Sequence, residues 1–357
     1  MKGIGWGEIT KMKKKIIKGV YFEITSKCNL HCPYCYHGDK LNEVNSSSIM
    51  LDVYLKVIKD VVDLGGEFIH LSGGEPFLHN EIINFAKIAK YNNLEVKVST
   101  NGTNLSSFET NELSLIDEIS IAIDGVNADE HDSTRGSGSF SLVEKNLYKM
   151  KKGGIINKIT LAIILRKNNY NKIVSFINYA LKWNVLGINF DILHDSVNLK
   201  NNFFQKEQLN SSDVLAAQKE IEKCKARNNL KLDIVPPKNI GGDCPFYYDE
   251  PLLIRIDYNG NVFLCQGFCG DDFSVGNINQ CTLKEILYSS NCNETLNFFK
   301  NRINLIEECQ RCFLKNSFCK GGCVADAYYI QNDCLCTDGW CDVRMKKFAK
   351  QLLSHKR

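Results

Sequence analysis

Cys28, Cys32 and Cys35 stand at the spacing Cys-x3-Cys-x2-Cys within Lys27-Cys28-Asn29-Leu30-His31-Cys32-Pro33-Tyr34-Cys35-Tyr36. Three thiolates on one short loop can hold three irons of a four-iron cubane and leave the fourth iron without a protein ligand. An iron with an open position is a place for chemistry, whereas a four-cysteine site is closed. The same spacing, i, i+4 and i+7, would also fit one face of a helix. Pro33 argues against that, because proline inside a helix removes a hydrogen bond and clashes with the preceding turn. The triad is therefore expected on a loop.

A second set of cysteines follows far downstream. Cys244 is separated by fifteen residues from Gly260, and Cys265 comes after a further four. Then Cys309-x2-Cys312-x6-Cys319-x3-Cys323 leads after seventeen residues to Cys341. Paired cysteines at such spacings suit tetrahedral zinc as well as iron–sulfur clusters, so spacing alone leaves both open. Cys224, Cys281, Cys292, Cys334 and Cys336 fall outside these patterns, and free buried cysteine is their default. Cys334 and Cys336 precede Cys341 and offer an alternative ligand or hydrogen donor.

Sixteen cysteines among 357 residues are anomalous for the compartment the rest of the chain points to. Met1 to Thr10 hold no apolar core of signal-peptide length, and no later run approaches the ~20 apolar residues of a membrane span. The chain thus reads as cytosolic, where thiols stay reduced and disulfides are rare. Metal or cluster ligation explains the cysteines better than a disulfide-rich secreted fold. The composition, 44% hydrophobic and 24% charged, is that of an ordinary globular protein, and a formal charge of +3 gives no argument for nucleic acid. The lysine run from Lys11 to Lys18 reads as a solvated tail.

The elements that must position the cysteines come from apolar periodicity. Strands are expected at Gly19–Thr25, Phe68–Ser72, Glu95–Thr100, Glu118–Ile123, Lys158–Leu165 and Gly187–Leu193, several near-continuous in Ile, Val, Leu and Phe, as in parallel strands buried on both faces. Helices are expected at Met50–Leu64, Asn80–Tyr91, Ser141–Met150 and Ile173–Trp183. Six strands with crossover helices predict an α/β fold, a partial (β/α)6 parallel barrel. Barrel chemistry gathers at the carboxyl ends of strands, and the triad directly follows the first. Residues 201–238 read as a helical bridge, with Ser211-Ser212-Asp213 capping a helix to about Arg227. After Pro236-Pro237 a small cysteine-rich domain follows, with a β-hairpin of Ile254–Asp257 and Val262–Cys265 about Tyr258-Asn259-Gly260-Asn261. The expected units are a tail 1–16, a barrel 17–200, the bridge, a cluster domain 239–345 and a tail 346–357.

With Ser72-Gly73-Gly74-Glu75-Pro76 after the second strand, the triad resembles the signature of the radical S-adenosylmethionine (SAM) superfamily. The resemblance implies that SAM chelates the open iron, that one electron cleaves it to a 5′-deoxyadenosyl radical, and that this radical abstracts a substrate hydrogen. Cofactors supply that chemistry and the protein supplies position and water exclusion. By the same resemblance Gly73, Gly74, Glu75 and Pro76 approach the methionine part of SAM, and Tyr34 lies near adenine. Ser99 and Asn101, in Ser99-Thr100-Asn101-Gly102 at the end of strand three, and Ser120 and Asp124 at the end of strand four, occupy positions of ribose and carboxylate contacts. Arg135, in His131-Asp132-Ser133-Thr134-Arg135-Gly136, matches the arginine that pairs with the SAM carboxylate.

The later cysteines resemble the SPASM extension, which carries two auxiliary iron–sulfur clusters in enzymes that modify peptides and proteins, among them maturases of ribosomally made peptides and anaerobic sulfatase-maturing enzymes. That implies Cys244, Cys265 and Cys323 on a first auxiliary [4Fe-4S] cluster, and Cys309, Cys312, Cys319 and Cys341 on a second, hence three clusters in all. The third gap here is six residues where five is usual. The first auxiliary cluster has an open iron or recruits Cys269. The expected substrate is a peptide or protein, crosslinked, epimerised or oxidised, with flavodoxin or ferredoxin as electron donor. The triad arrives by residue 28, without room for the peptide-binding winged helix of many relatives, so a separate recognition protein or direct binding is expected. A small-molecule substrate is the alternative, and an iron–sulfur redox protein without catalysis is the third. His194, Asp195 and Asp191, around the sixth strand, are cavity residues of unassigned role.

Overall fold

The structure is a computed structural model that describes residues 17–38, 41, 47–195, 202–226, 232–237, 246, 251–268 and 271–354. The strands are β1 (Ile17–Thr25), β2 (Phe68–Gly73), β3 (Glu95–Thr100), β4 (Glu118–Ala122), β5 (Ile159–Leu165), β6 (Gly187–Ile192), β7 (Asp233–Val235), β8 (Leu252–Ile256), β9 (Asn261–Phe263) and β10 (Gly276–Asn277). The helices are α1 (Leu51–Asp63), α2 (Ile82–Tyr91), α3 (Thr110–Leu113), α4 (Ala128–Arg135), α5 (Ser139–Lys152), α6 (Ile173–Trp183), α7 (Phe203–Glu207), α8 (Ser211–Ala226), α9 (Leu283–Tyr288), α10 (Ser290–Asn301), α11 (Val324–Gln331) and α12 (Cys341–Ser354).

All strands join one sheet, in the order β10-β9-β8-β1-β2-β3-β4-β5-β6-β7. From β1 to β6 every pairing is parallel and sequential, the partial-barrel arrangement expected. Crossover helices cover the outer face. In α1 the buried Tyr54, Val57, Ile58 and Val61 recur at helical spacing and pack on the strands. The Tyr54 ring stacks between Phe22 of β1 and Phe85 of α2, at centroid distances of 5.9 and 4.1 Å, and its hydroxyl donates to the Phe85 carbonyl.

One feature departs from the sequence reading. Strands β2, β3 and β4 are not buried on both faces. Ile69, Leu71, Val96, Val98, Ile119 and Ile121 point outward under the helices, while His70, Lys97, Ser99, Glu118 and Ser120 alternate with them and are only partly buried. The barrel therefore has a polar lumen, which needs the period-2 pattern these strands carry. The cysteine-rich segment follows the barrel, as expected, and is joined to its sheet, a contact the sequence does not show: β8 pairs in parallel with β1, matching Val20 to Ile254 and Phe22 to Ile256. The bridge likewise adds β7 to β6. Helix α12 runs past residue 346 and meets α8 through Ser211 Oγ on Asp342 at 2.6 Å. Among the described residues no helix is long and apolar enough to cross a membrane.

The hairpin forms where expected. The Asp257 carboxylate accepts from the amides of Asn259 and Asn261 at 2.9 and 2.8 Å, an Asx-type turn, and Gly260 sits at φ +87°. The positive φ favours glycine there, and a Cβ would also have to displace the Asn279 side-chain amide, 2.6 Å away.

Candidate radical-generating site

The triad lies on a loop, as Pro33 requires. After β1 the chain makes turns closed by Cys35 N on the Cys32 carbonyl, 3.1 Å, and Gly38 N on the Cys35 carbonyl, 2.8 Å. Burial pushes the Cys28 and Cys35 thiols up to about 11 and raises Cys32, and the charge of one thiolate further opposes that of its neighbours. Three half-buried thiols close enough to press on one another fit a cluster, whose metal would hold all three as thiolates. Among the described residues no three His, Cys, Asp or Glu side chains close on a single ion. A cubane takes one thiolate at each iron corner, so mutual proximity rather than convergence on a point is its requirement.

Gly73 and Gly74 are explained first by this loop. The amides of Gly74 and Glu75 donate to the carbonyls of Thr25 and Lys27 at 2.8 and 2.7 Å. A Cβ on Gly73, at φ +123°, would fall 2.3 Å from the Thr25 carbonyl oxygen, and one on Gly74 2.3 Å from that of Lys27. The glycines thus let the second-strand loop lie against the triad backbone. Pro76 opens a single 3₁₀ turn that Glu75 caps. Glu75 is fully buried and turned inward: it accepts from Phe77 N at 3.1 Å, Thr100 Oγ1 at 2.7 Å and Asn101 N at 2.8 Å. Asn101 in turn donates to Asn29 Oδ1 at 2.9 Å, and Asn29 donates to Thr103 Oγ1 at 2.9 Å. The loops after β1, β2 and β3 are therefore one hydrogen-bonded unit.

Beside it, Tyr34, Asp124 and Arg135 meet. Asp124 accepts from the Tyr34 hydroxyl, from Thr134 Oγ1 at 2.8 Å and from Arg135 Nε at 2.9 Å. Burial pushes the Asp124 carboxyl up, but Arg135 and these donors outweigh it and hold it below the ordinary carboxylate range. Arg135 thus carries an internal partner. Arg166, which follows β5 and was not singled out in the sequence, is also buried, with its guanidinium 5.8 Å from the Tyr34 ring and Nη2 3.3 Å from Thr134. Ser99 and Ser120 are paired in register on the lumen face. Ser99 is taken up by His70, Oγ to Nε2 2.7 Å, and burial drives the His70 imidazole down to about 3.

His194 bridges barrel and cluster domain. Its Nδ1 lies 2.8 Å from Asp326 at the start of α11, and its Nε2 3.5 Å from Asp191. Burial would lower this imidazole, yet Asp326 and Asp191 raise it well above its usual value. Asp195 follows it directly, partly buried. A second bridge joins Glu23 of β1 to Arg255 of β8, 2.8 Å, with Tyr36 donating to the same carboxylate at 2.7 Å. Arg255 also donates to the Phe268 carbonyl.

Of the later cysteines, Cys309, Cys312, Cys319 and Cys341 come together. Burial pushes the Cys309 thiol to about 11, and Cys341, Cys319 and Cys312 each add to the rise. The extra residue between Cys312 and Cys319 is absorbed in a turn: Asn316 adopts φ +63°, and Cys319 N donates to the Leu314 carbonyl at 2.9 Å. Cys265 and Cys323 lie on facing loops, since a Cβ on Gly267 would meet Ala325 at 2.9 Å. Cys323 Sγ caps α11 by accepting from Asp326 N at 3.5 Å, and Cys265 Sγ accepts from Gly267 N at 3.4 Å. Cys244 and Cys269 lie outside the described residues. Cys334 and Cys336 contribute their carbonyls, which receive the buried Arg302 guanidinium.

Residues 22–180 match the radical SAM superfamily, and residues 252–313 match SPASM, an iron–sulfur cluster-binding domain. The chain belongs to the radical SAM superfamily and carries a SPASM domain. The radical SAM match spans the triad, the Gly-Gly-Glu-Pro segment and the Asp124–Arg135 pair, and the SPASM match covers Cys265, Cys309 and Cys312. A curated relative is the AdoMet-dependent heme synthase of Methanosarcina barkeri, 29% identical over 150 residues, 41% of this chain and 43% of that protein. The chain spans about half the length, or less, of the first curated relatives it matches. Among solved structures, anSMEcpe with bound AdoMet superposes at TM-score 0.72 with 19% identity, covering 93% of this chain and 96% of that one. SuiB of Streptococcus suis bound to S-adenosylmethionine superposes at 0.71 with 13% identity, covering 87% and 74%. Both have also been solved with peptides, anSMEcpe with Kp18Cys and SuiB with its precursor peptide SuiA. At these identities the likeness is one of fold.

Proposed function

We propose that this radical SAM chain is an enzyme that abstracts a hydrogen atom from a peptide or protein and so installs a post-translational modification. The observation that carries the reading is the single unit formed at the carboxyl ends of β1–β3, where Cys28, Cys32 and Cys35 lie against Gly73–Gly74 and Glu75 ties both to Asn101. In the proposal these three thiols hold the SAM-binding cluster. When bound, cluster and SAM supply reductive cleavage of SAM and a hydrogen-abstracting radical. The chain's own part is placement and exclusion of water. Tyr34, Gly73, Gly74, Ser99, Asn101, Ser120, Asp124 and Arg135 form the SAM pocket, and Glu75 and Pro76 set its backbone. Cys309, Cys312, Cys319 and Cys341 hold one auxiliary cluster, and Cys265 and Cys323, with Cys244, hold another, making three. A low-potential one-electron protein of the flavodoxin or ferredoxin class supplies the electron.

The peptide substrate is supported by the peptide-bound relatives of the same two-part architecture. A small-molecule substrate is the second reading, favoured by the heme synthase match within the radical SAM portion. Incubating the loaded enzyme with SAM, dithionite and a candidate peptide deuterated on its side chains separates them. Deuterium appearing in 5′-deoxyadenosine, with a matching mass change in the peptide, supports the first reading. Deuterium exchange confined to a small-molecule substrate overturns it.

A further inference from the structure

Arg302, just after α10, is fully buried. Its partners are main-chain carbonyls: those of Cys334 and Cys336, of Gly321 at 2.8 Å and of Gly322 at 3.4 Å. Gly321 and Gly322 both have positive φ, +94° and +77°, which turns the Cys319–Cys323 loop so that its carbonyls face the guanidinium. None of the ion pairs among the described residues includes Arg302, and Glu307 and Glu308 on the next turn are solvent-exposed. The other buried arginine nearby, Arg344, pairs with the buried Asp338 and also lies within electrostatic reach of Cys319 and Cys341, so its charge is shared where that of Arg302 is not. A buried cation held only by dipoles is costly unless an anion lies close. Two members of the four-thiol set border its loops: Cys319 Sγ accepts from the amide of Gly321, whose carbonyl holds the guanidinium, at 3.3 Å, and Cys309 closes the short turn Glu307–Cys309 that follows Arg302.

We propose that Arg302 is the internal counter-charge of the second auxiliary cluster and sets its reduction potential. The inference rests on the reading of Cys309, Cys312, Cys319 and Cys341 as cluster ligands. Four thiolates on a [4Fe-4S]2+ core leave a net charge of about −2, and uptake of one electron from a low-potential donor makes it about −3. A fixed positive charge in a dry site favours the more negative state. Cluster potential follows net charge and nearby hydrogen bonds, so this arginine makes the cluster easier to reduce. Arg302 is a positioning residue here: it touches the ligand loops rather than substrate.

The test is an EPR-monitored redox titration with dithionite on the iron-loaded full chain, comparing Arg302→Gln and Arg302→Lys with the parent. The signal of the second auxiliary cluster is identified by its loss in Cys312→Ala. Both substitutions shorten the fork and give up carbonyl contacts, but only lysine keeps the charge. The expected result is a tenfold or larger loss of preference for the reduced state in the glutamine variant, a fall of about 59 mV for a one-electron couple, with the lysine variant near the parent. Loading of the cluster in the lysine variant but not in the glutamine variant also supports the charge role. Equal shifts in both variants, no shift in either, or loss of the cluster from both would overturn it and leave Arg302 a loop staple. If the parent itself holds zinc at these cysteines, or Cys312→Ala removes no signal, the ligand reading fails instead, and this is visible before any Arg302 variant is made.

Discussion

Replacing Glu75 probes how the triad loop is held. Its two carboxylate oxygens serve three donors, Phe77 N and Thr100 Oγ1 on one and Asn101 N on the other. In Glu75→Gln one oxygen becomes an amide nitrogen. Turned one way, that nitrogen faces the Asn101 amide; turned the other way, it faces the Phe77 amide. The Thr100 hydroxyl can rotate, but it already accepts from Gly102 N at 3.0 Å. Either orientation leaves one buried backbone N–H without an acceptor, at about 1–3 kcal/mol. Burial pushes the Glu75 carboxyl above its ordinary range, so losing the charge returns part of this, and about 1–2 kcal/mol is expected. At about 1.4 kcal/mol per decade, amide hydrogen exchange should quicken by about five- to thirtyfold at Asn101 or Phe77, and at both in Glu75→Ala. Parental protection at both amides in both variants would refute the reasoning that this carboxylate joins the loops.

Gly74→Ala places a Cβ against the Lys27 carbonyl, a backbone atom that cannot swing away, so the triad loop must move. Iron analysis should show a loss of on the order of four irons per chain, and full iron content would contradict the packing. Glu23→Ala removes the carboxylate that balances the buried Arg255 charge and should cost about 3–5 kcal/mol. A denaturation midpoint near the parent's, or strict additivity with Arg255→Met, would contradict the bridge. His131 is buried and held down to about 4, mainly by burial and then by Arg135. Its folded value lies below the unfolded ~6.5, so the unfolded chain takes the proton first and stability falls as pH drops from about 6.5 toward 4. Between pH 7.5 and 5.5 this comes to about 1.3 kcal/mol, a component that chemical denaturation should find missing in His131→Gln.

Much of this was readable from residue types, and the exceptions share a cause. The order β1 to β6, the loop at Pro33 and the hairpin at Gly260 are local patterns, and local patterns survive in a sequence. The polar lumen was written in the alternation of Phe68–Gly73 and Glu95–Thr100, but the outward-facing Val and Ile dominate any window. The contact of Glu23 with Arg255 joins residues 232 apart, and nothing near either one signals it. The parallel docking of β8 on β1 is of the same kind. The Glu75 carboxylate spans two strand loops by accepting from Thr100 and Asn101, a pairing the Gly-Gly-Glu-Pro motif alone does not announce. Arg302 has no motif, and only its burial beside the cysteine loops marks it.

The most direct test of the account is SAM cleavage by the anaerobically iron-loaded chain with dithionite. It predicts formation of 5′-deoxyadenosine by the parent protein and none by Cys32→Ala. An iron-loaded parent that forms no 5′-deoxyadenosine would contradict it.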